Sequence, residues 1–261
     1  MTVILGLSGK KQSGKNTCLN WIIANYLVGL ELVDWARVGA KGELLVPAQM
    51  ESGIETAILD VENPAAASYL DQYVWPFVKN YSFATPLKNF CMDVFGLTYE
   101  QVYGTNEQKN TFTSICWEDI PHNDDDMWEG LYITEKSGHM TAREILQYFG
   151  TNVCRKMLNN CWVDATIRRI QKEQSQFAII TDVRFPNEVK GIQDAGGKVL
   201  RFTRAPFAGQ DEHASETVLD GYEGFDAIID NKDMSIDQQN IAVTDQLLAW
   251  NFVQWEIVKK D

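Results

Sequence analysis

The strongest constraint on the fold of this chain lies near its N-terminus. Residues 3–7 form a short apolar run with the length and branching of a buried strand. The sequence Gly-x-x-x-x-Gly-Lys follows almost at once and ends at Lys15; we call residues 9–14 the glycine-rich loop. Residues 18–27 then carry apolar side chains at helical spacing, with Gly29 as a stop. A strand, a glycine-rich turn and a helix in this order predict a phosphate-binding loop.

The residue types of this loop suit an anion. Gly9 and Gly14 permit backbone angles that a Cβ atom would forbid, so that successive N–H groups can turn toward one phosphate. The dipole of the new helix adds attraction, and Lys15 brings a mobile charge to the β- and γ-phosphates. Asn16 replaces the usual Ser or Thr, and the hydroxyl arrives at Thr17. Several nucleoside monophosphate kinases read Gly-Lys-x-Thr, which favours phosphoryl transfer to a small molecule over a GTPase switch.

The composition limits what such a chain can bind. It has 261 residues, 45% of them hydrophobic, which suits one sizeable α/β domain with insertions. The net charge of −13 argues against a general nucleic-acid-binding surface, although Lys10, Lys11 and Lys15 can together attract a small anion.

No apolar run approaches the roughly 18 residues of a membrane span, and the chain begins with a strand, so we expect neither a membrane segment nor a signal peptide. Five cysteines without a Cys-x-x-Cys pair favour a reducing cytosol over a disulfide framework or a zinc site.

A second buried strand, residues 177–182, ends in an aspartate. In a parallel sheet its carboxyl end lies at the same edge as the glycine-rich loop, so that Asp182 is expected beside the loop. A strand-end aspartate in this position is the usual group that holds Mg²⁺, directly or through water. Arg184 follows two residues later. Residues 204–217, which begin with Arg204, read as a mobile lid that excludes water from a transferring phosphoryl group.

Three further features leave alternatives open. Lys88 stands in the first turn of a predicted helix, where its charge opposes the helix dipole, and it is either a ligand contact or a solvated lysine. Arg143, Arg155 and Lys156 make a locally basic region that is either helix-surface charge or a phosphate clamp. The three aspartates at residues 124–126 are interpreted as a solvated loop, because consecutive residues do not converge on one metal ion.

The rest of the pattern predicts an alternation of strands and helices. Strands are predicted at residues 73–78, 198–203 and 227–229, and helices at residues 85–95, 141–149, 162–170, 186–195 and 236–250. The helix at 141–149 opens with a capping box formed by Thr141 and Glu144. Residues 30–72 are interpreted as an irregular connection or a small insertion, and residues 98–140 as a polar, acidic segment.

Together these pieces resemble the deoxynucleoside monophosphate kinases of bacteriophages, which have the P-loop nucleoside monophosphate kinase fold. The matching blocks are residues 9–17, 83–88, 103–110, 117–119, 142–151, 181–188, 204, 213–216 and 230–231. They span nearly the whole chain apart from residues 30–72. The resemblance implies a three-layer α/β fold in which helices flank a central parallel sheet. It further implies a single domain over residues 1–261, with insertions or an acceptor-side region at 30–72 and 98–140 and a lid at 204–217.

The resemblance also implies an activity: the transfer of the γ-phosphoryl group of ATP, with Mg²⁺, to a deoxynucleoside monophosphate, giving the diphosphate and ADP. By matching position, the residues expected to bind ATP are Gly9, Lys10, Lys11, Ser13, Gly14, Lys15, Asn16, Thr17 and Asn231, the last in an adenine-binding loop. The acceptor is expected at Lys88, Arg143, Gln147, Gly150, Thr151, Trp162 and Glu188. The resemblance also implies a catalytic group of Lys15, Asp182, Arg184 and the lid arginine Arg204, with Thr17 and Asp182 as the magnesium ligands.

Two departures from the family pattern concern specificity. Asn152 stands where aspartate is common, and residues 231–233 read Asn-Lys-Asp in place of the more familiar Asn-Asp-Gly. The first concerns which base the protein prefers in the acceptor nucleotide, and the second concerns its contacts with the adenine of ATP. Family members suggest a homodimer in the cytoplasm, which is the host cytoplasm if a phage encodes the chain.

Two alternative activities stay open on the sequence. One is a kinase for another small acceptor, such as a nucleoside or dephospho-coenzyme A. The other is a nucleotide-dependent switch, which would bind ATP without acceptor-dependent release of ADP. The sequence does not indicate which of the four bases is preferred in the acceptor nucleotide, or whether deoxyribose is preferred to ribose.

Overall fold

The structure is a computed structural model that describes residues 2–50, 53–60, 66–120, 136–206 and 217–254. Its contacts divide the chain into two compact units. We call Met1–Ser82 with Ile167–Asp261 the sheet unit, and Phe83–Thr166 the helical unit. The prediction of one domain with two insertions and a lid stays a prediction.

The elements follow one another in an α/β order. The strands are β1 Val3–Ser8, β2 Arg37–Val38, β3 Leu44–Met50, β4 Gly53–Ile58, β5 Val78–Tyr81, β6 Phe112–Cys116, β7 His139–Thr141, β8 Phe177–Val183, β9 Lys198–Phe202 and β10 Ala227–Ile229. The helices are α1 Lys15–Gly29, α2 Ala67–Tyr73, α3 Thr85–Phe95, α4 Tyr99–Tyr103, α5 Asn106–Lys109, α6 Ala142–Gln147, α7 Arg155–Met157, α8 Cys161–Glu173, α9 Pro186–Asp194 and α10 Ile236–Ala249. A 3₁₀ turn lies at Trp117–Asp119 and a π-helix at Tyr148–Cys154.

The core of the sheet unit is a five-stranded sheet in the order β10-β9-β1-β8-β5, and all four strand pairs are parallel. Leu5 and Leu7 of β1 are fully buried in the same cluster as side chains of α1 and α10. Gly6 alternates with them, and a Cβ atom there would collide with Ile192 of α9. Helices therefore cover both faces of the sheet. The predicted α/β class, with a central parallel sheet flanked by helices, is confirmed.

The strand predicted at residues 73–78 is wrong in its position. Tyr73 ends α2, and the N–H groups of Val74 and Trp75 both bond to the carbonyl of Leu70. The strand β5 starts only at Val78. The apolar and aromatic composition of this run does not distinguish the end of a buried helix from the start of a buried strand.

The described residues between 37 and 58 are not an irregular connection, which was one of the two interpretations of that segment; the other, a small insertion, stays a prediction. They include a three-stranded antiparallel sheet in the order β2-β3-β4. The N–H of Leu59 bonds to the carbonyl of Leu44, so the alternation of an antiparallel pair makes Pro47 and Thr56 a non-hydrogen-bonded pair. The ring nitrogen of Pro47 thus faces away from β4, on the side where the short β2 has already ended. Proline fits this strand because no ladder bond is lost.

The helical unit packs around a small apolar cluster of its own. Cys91, Val102, Trp117 and Ile145 are buried together, and they come from α3, α4, the 3₁₀ turn and α6. The predicted capping box is confirmed, since the Thr141 hydroxyl accepts the N–H of Glu144 at 3.2 Å and the Glu144 carboxylate accepts the N–H of Thr141 at 3.0 Å. The three aspartates at residues 124–126 lie outside the described residues.

An ionic cluster ties β5 to the C-terminal end of α8. Lys79 and Arg169 form ion pairs with Glu173 at 2.8 and 2.7 Å, and the Tyr81 hydroxyl donates to the same carboxylate at 2.8 Å. Desolvation opposes ionisation of Glu173 and is the largest single effect, but the three donors together outweigh it and lower its pKa to about 2. Within the described ranges, no helix combines the length and the apolar character that a membrane crossing requires.

Candidate active site

The glycine-rich loop joins β1 to α1 at the carboxyl edge of the parallel sheet. Its two predicted glycines have φ angles of 153° at Gly9 and 102° at Gly14, which side chains rarely tolerate. Space excludes a side chain as well: a Cβ atom at Gly9 would overlap Ser13, and one at Gly14 would overlap Gln239. Angle and space therefore independently require glycine at both positions.

The ammonium group of Lys15 lies over this loop. It donates to the carbonyl oxygens of Gly9 at 2.6 Å and Lys10 at 2.8 Å. The N–H of Ser13 also donates to the Lys10 carbonyl, at 3.1 Å, which closes the turn. The loop thus holds the cation where an anion bound to the loop would meet it, and phosphate oxygens can replace the carbonyl oxygens as its partners.

Asp182 occupies the edge of the sheet where the sequence predicted it. Ser8 of β1 is paired with Val183 of β8, and its hydroxyl donates to the Val183 carbonyl at 3.0 Å. Asp182 precedes Val183, on the strand next to the one that bears the loop. Its carboxylate accepts the hydroxyl of Ser82 at 2.6 Å. Ser82, just beyond β5, therefore orients this carboxylate; the sequence analysis did not identify it.

Glu188 is only 2% exposed, and its carboxylate is occupied by backbone. It accepts the N–H groups of Arg184 at 2.7 Å and Phe185 at 3.1 Å, which caps α9. Glu188 was expected among the substrate-binding residues. The structure places it beneath the turn that carries Arg184, where it holds that turn in shape.

An arginine that the sequence analysis missed contacts Ser8, the residue just before the loop. Arg201 of β9 is 13% exposed and donates to the Ser8 hydroxyl at 3.0 Å. Asp220 accepts from Arg201 at 3.4 Å and from Lys10 at 2.6 Å. Lys10 is therefore already ion-paired, whereas Lys11 and Asn16 are exposed. A charged residue near the end of an otherwise apolar strand was the available signal for Arg201.

Arg204 and Asn231 contact each other, and Asn231 also contacts the loop at Ser13. Asn231 is fully buried, and its side-chain oxygen accepts the N–H of Arg204 at 2.9 Å. The guanidinium of Arg204 donates to the carbonyl of Asn231 at 3.0 Å and to that of Met234. The Asn231 side chain thus faces protein, although the sequence placed it in an adenine-binding loop. Of the predicted lid, residues 207–216 lie outside the described residues.

The helical unit holds the predicted acceptor residues other than Glu188. The Lys88 ammonium lies 4.1 Å from the centroid of the Tyr103 ring, a cation–π contact. Arg143 donates to the side-chain oxygen of Asn106 at 2.8 Å. Both cations are thereby oriented by partners from neighbouring helices. Gln147 and Thr151 are exposed.

A π-helix runs through the middle of this acceptor region. Gly150 lies in it, where a Cβ atom would overlap Leu87. The indole N–H of Trp162 donates to the Gly150 carbonyl at 3.1 Å. Short π-helical turns are frequent at functional sites. Trp162 therefore holds the π-helical backbone that includes Thr151 and that starts directly after Gln147.

The residues present fit a magnesium ion that arrives with a nucleotide. Among the described residues no group of three or more His, Cys, Asp or Glu side chains could hold a metal ion by itself. Mg²⁺ usually keeps several waters and takes one or two carboxylates plus substrate phosphates, so Asp182 alone is compatible with it. The hydroxyl of Thr17, the other predicted ligand, lies against Gly42, where a Cβ atom would overlap it.

The five-stranded parallel sheet flanked by helices, with the glycine-rich loop at its carboxyl edge, is consistent with a P-loop kinase-like fold. The sequence profile of the family described as deoxynucleotide monophosphate kinase matches residues 118–241. A protein of Acanthamoeba polyphaga mimivirus, to which deoxynucleotide monophosphate kinase activity is ascribed, is 33% identical over 181 residues, which cover 64% of this chain and 80% of that protein. The chain belongs to the deoxynucleotide monophosphate kinase family and is a phosphotransferase that uses small nucleotide substrates.

Proposed function

We propose that the chain transfers the γ-phosphoryl group of ATP to a deoxynucleoside monophosphate. Membership of the family supplies the acceptor class. The observation that supports ATP as the donor is the glycine-rich loop, with the Lys15 ammonium held over its carbonyl oxygens. Such a loop at the start of a helix fits the polyphosphate of a nucleoside triphosphate.

On the donor side, we assign the N–H groups of the loop and the first turn of α1 to the ATP phosphates. Lys15 would leave the carbonyl oxygens of Gly9 and Lys10 and bond to the β- and γ-phosphates. Asp182, oriented by Ser82, is the carboxylate available to hold Mg²⁺ directly or through water. The ion would supply neutralisation of charge on the phosphate oxygens.

On the acceptor side, we assign the monophosphate to Arg143 and Lys88. The planar fork of arginine suits a phosphate with two parallel hydrogen bonds, and Asn106 already orients it. Gln147, the last residue of α6, and Thr151, in the π-helix that Trp162 anchors, are assigned to the remainder of the acceptor nucleotide.

The reaction needs alignment and charge stabilisation more than covalent chemistry. The attacking oxygen belongs to a phosphate that is already anionic, so no general base is required. Arg184 and Arg204 are the cations assigned, with Lys15, to the charge of the transferring group. Exclusion of water by residues 204–217 would favour transfer to the acceptor over hydrolysis.

A coupled assay for ADP release tests this proposal. The chain is given ATP and Mg²⁺ with each of dGMP, dTMP, dCMP, dAMP and their ribonucleotide forms, and separately with nucleosides and dephospho-coenzyme A. We expect release that depends on a deoxynucleoside monophosphate. Release of ADP with only nucleosides or dephospho-coenzyme A as acceptors would indicate a different kinase. Binding of ATP without acceptor-dependent release of ADP would indicate a nucleotide switch.

A matched pair of lysine variants ties the assay to the loop. Lys15→Met removes the ammonium that lies over the loop, while Lys190→Met removes an exposed lysine of α9 that belongs to none of the predicted sites. We expect the first to lose activity and the second to keep most of it. Equal losses would indicate a general charge effect.

A further inference from the structure

Two buried amide side chains contact the glycine-rich loop from behind. Asn231 follows β10 and is fully buried, and Gln239 lies in α10 and is 1% exposed. One N–H of the Asn231 amide donates to the carbonyl of Ser13 at 2.7 Å, and the amide also donates to the side-chain oxygen of Gln239 at 2.6 Å. The Gln239 amide donates to the carbonyl of Gly14 at 3.1 Å.

These bonds determine which way two peptide groups of the loop face. A trans peptide is planar, and its N–H points opposite to its C=O. Because the Ser13 carbonyl is turned toward Asn231, the N–H of Gly14 points away from that side chain. Because the Gly14 carbonyl is turned toward Gln239 and toward the N–H of Cys18, the N–H of Lys15 points away from the body of α1.

The backbone cannot hold this arrangement by intrinsic preference. Gly14 has a φ of 102°, and glycine at this angle has many other conformations of similar energy. The space above Gly14 is filled by the Gln239 amide, with which a Cβ atom would collide. Packing and hydrogen bonding of this one side chain therefore select the conformation of the loop at Gly14.

We propose that Gln239 and Asn231 are positioning residues for the ATP phosphates: their side chains hold the Ser13 and Gly14 carbonyls back so that the N–H groups of Gly14 and Lys15 face the bound phosphate. This rests on the proposed function, in which the loop binds ATP. Neither side chain contacts the nucleotide; both act through the two peptide groups. Preorganised donors avoid the free-energy cost of turning peptides when the ligand binds.

The Asn231 amide also links the glycine-rich loop to Arg204. The Asn231 oxygen accepts the Arg204 N–H, and the Asn231 backbone carbonyl accepts from the Arg204 guanidinium. The position of the first predicted lid residue and the shape of the loop thus depend on one buried side chain. Loss of Asn231 is therefore expected to affect both ATP binding and turnover, whereas loss of Gln239 acts on ATP binding.

The test compares Gln239→Met with Thr244→Val. The first keeps the volume of the side chain and removes the amide. The second removes an equally buried polar group on the same helix, which accepts from the indole of Trp21 at 2.9 Å and does not bond to the loop. Binding of ATP with Mg²⁺ is measured by titration calorimetry, with steady-state KM values for both nucleotides and thermal unfolding of each variant.

We expect Gln239→Met to weaken ATP binding about tenfold, the equivalent of one well-placed hydrogen bond. Its KM for the acceptor nucleotide should stay within about twofold of wild type. Thr244→Val should lower the unfolding temperature without changing ATP affinity. Should Gln239→Met not fold, Gln239→Asn keeps an amide on a shorter side chain and should likewise weaken ATP binding selectively.

Three results would overturn the inference, and they are distinguishable from failure of the proposed function. Unchanged ATP affinity in a folded Gln239→Met would remove the positioning role, as would equal weakening of both nucleotides. A loss of ATP affinity in Thr244→Val equal to that in Gln239→Met would indicate a general effect of stability. If the wild-type chain itself does not bind ATP, the proposed function fails.

Discussion

Replacing Gly14 by alanine should damage the loop through two effects whose sizes follow from the structure. The φ of 102° and ψ of 8° are sparsely populated for a residue with a Cβ atom, which costs about 1–3 kcal/mol. The new methyl group would also displace the Gln239 amide, which makes two hydrogen bonds worth about 0.5–1.5 kcal/mol each. The expected loss is about 2–6 kcal/mol, shared between folding stability and ATP binding.

Urea unfolding and titration with ATP and Mg²⁺ measure the two parts of this loss. Gly29→Ala is the matched control, because it adds a methyl group at the last residue of the same helix, where no atom beyond the adjoining residues and the backbone of the helix itself lies within 4 Å. That substitution should be neutral or stabilise by up to about 1 kcal/mol. If Gly14→Ala unfolds and binds ATP as the wild type does, the loop does not need the angle and the contact described here.

Further predictions concern four charged side chains. Lys15→Met should lower kcat about 10²–10³-fold in a folded protein, because it removes a charge that acts on the transferring group; near-normal turnover would exclude the loop from the mechanism. Arg143→Ala should raise KM for the acceptor nucleotide far more than KM for ATP, and the opposite pattern would reduce Arg143 to a surface charge. Arg204→Ala should lower kcat while ATP affinity changes by only a few fold, since its contribution is expected mainly in the transition state; a loss of ATP affinity alone would contradict this. Glu173→Gln should be less stable than wild type above pH 4.5, where Glu173 is charged and paired. Because the pKa of Glu173 is lowered to about 2 in the folded protein, this difference in stability should shrink as the pH falls toward 2. Urea unfolding at several pH values measures the difference, and a difference that stays constant with pH would show that the pairing is unimportant.

The parallel core and the loop could be predicted because their signals are local. Apolar residues between turn signals mark the strands predicted at residues 3–7 and 177–182, and strict spacing marks Gly9, Gly14 and Lys15. Asp182 could be placed because the carboxyl ends of parallel strands share one edge. These inferences need only the periodicity of the chain and the rules of sheet topology.

The small antiparallel sheet could not be predicted, because its signals were weak or misleading. β2 has only two residues, and Pro47 interrupts the pattern of β3. A proline within such a run normally indicates an edge strand or no strand at all. Only the pairing register shows that the missing N–H faces no neighbour. The start of β5 was misplaced for a related reason, since a buried helix end and a buried strand have similar compositions.

The residues that support the site were missed because they act across long sequence distances. Gln239 is 225 residues from the carbonyl of Gly14 that it contacts, and Arg201 is 193 residues from Ser8. Neither belongs to a motif. Asn231 was identified by resemblance, but only its burial and its partners reveal that the side chain faces the loop and Arg204.

The most direct test of the central claim follows the γ-phosphoryl group itself. ATP that carries radioactive phosphorus in this group is mixed with the chain, Mg²⁺ and a single deoxynucleoside monophosphate that supports ADP release, and the products are separated by chromatography. We predict that the label appears in the deoxynucleoside diphosphate and that little appears as inorganic phosphate. Label found only as inorganic phosphate, at a rate independent of the acceptor, would contradict phosphoryl transfer between nucleotides.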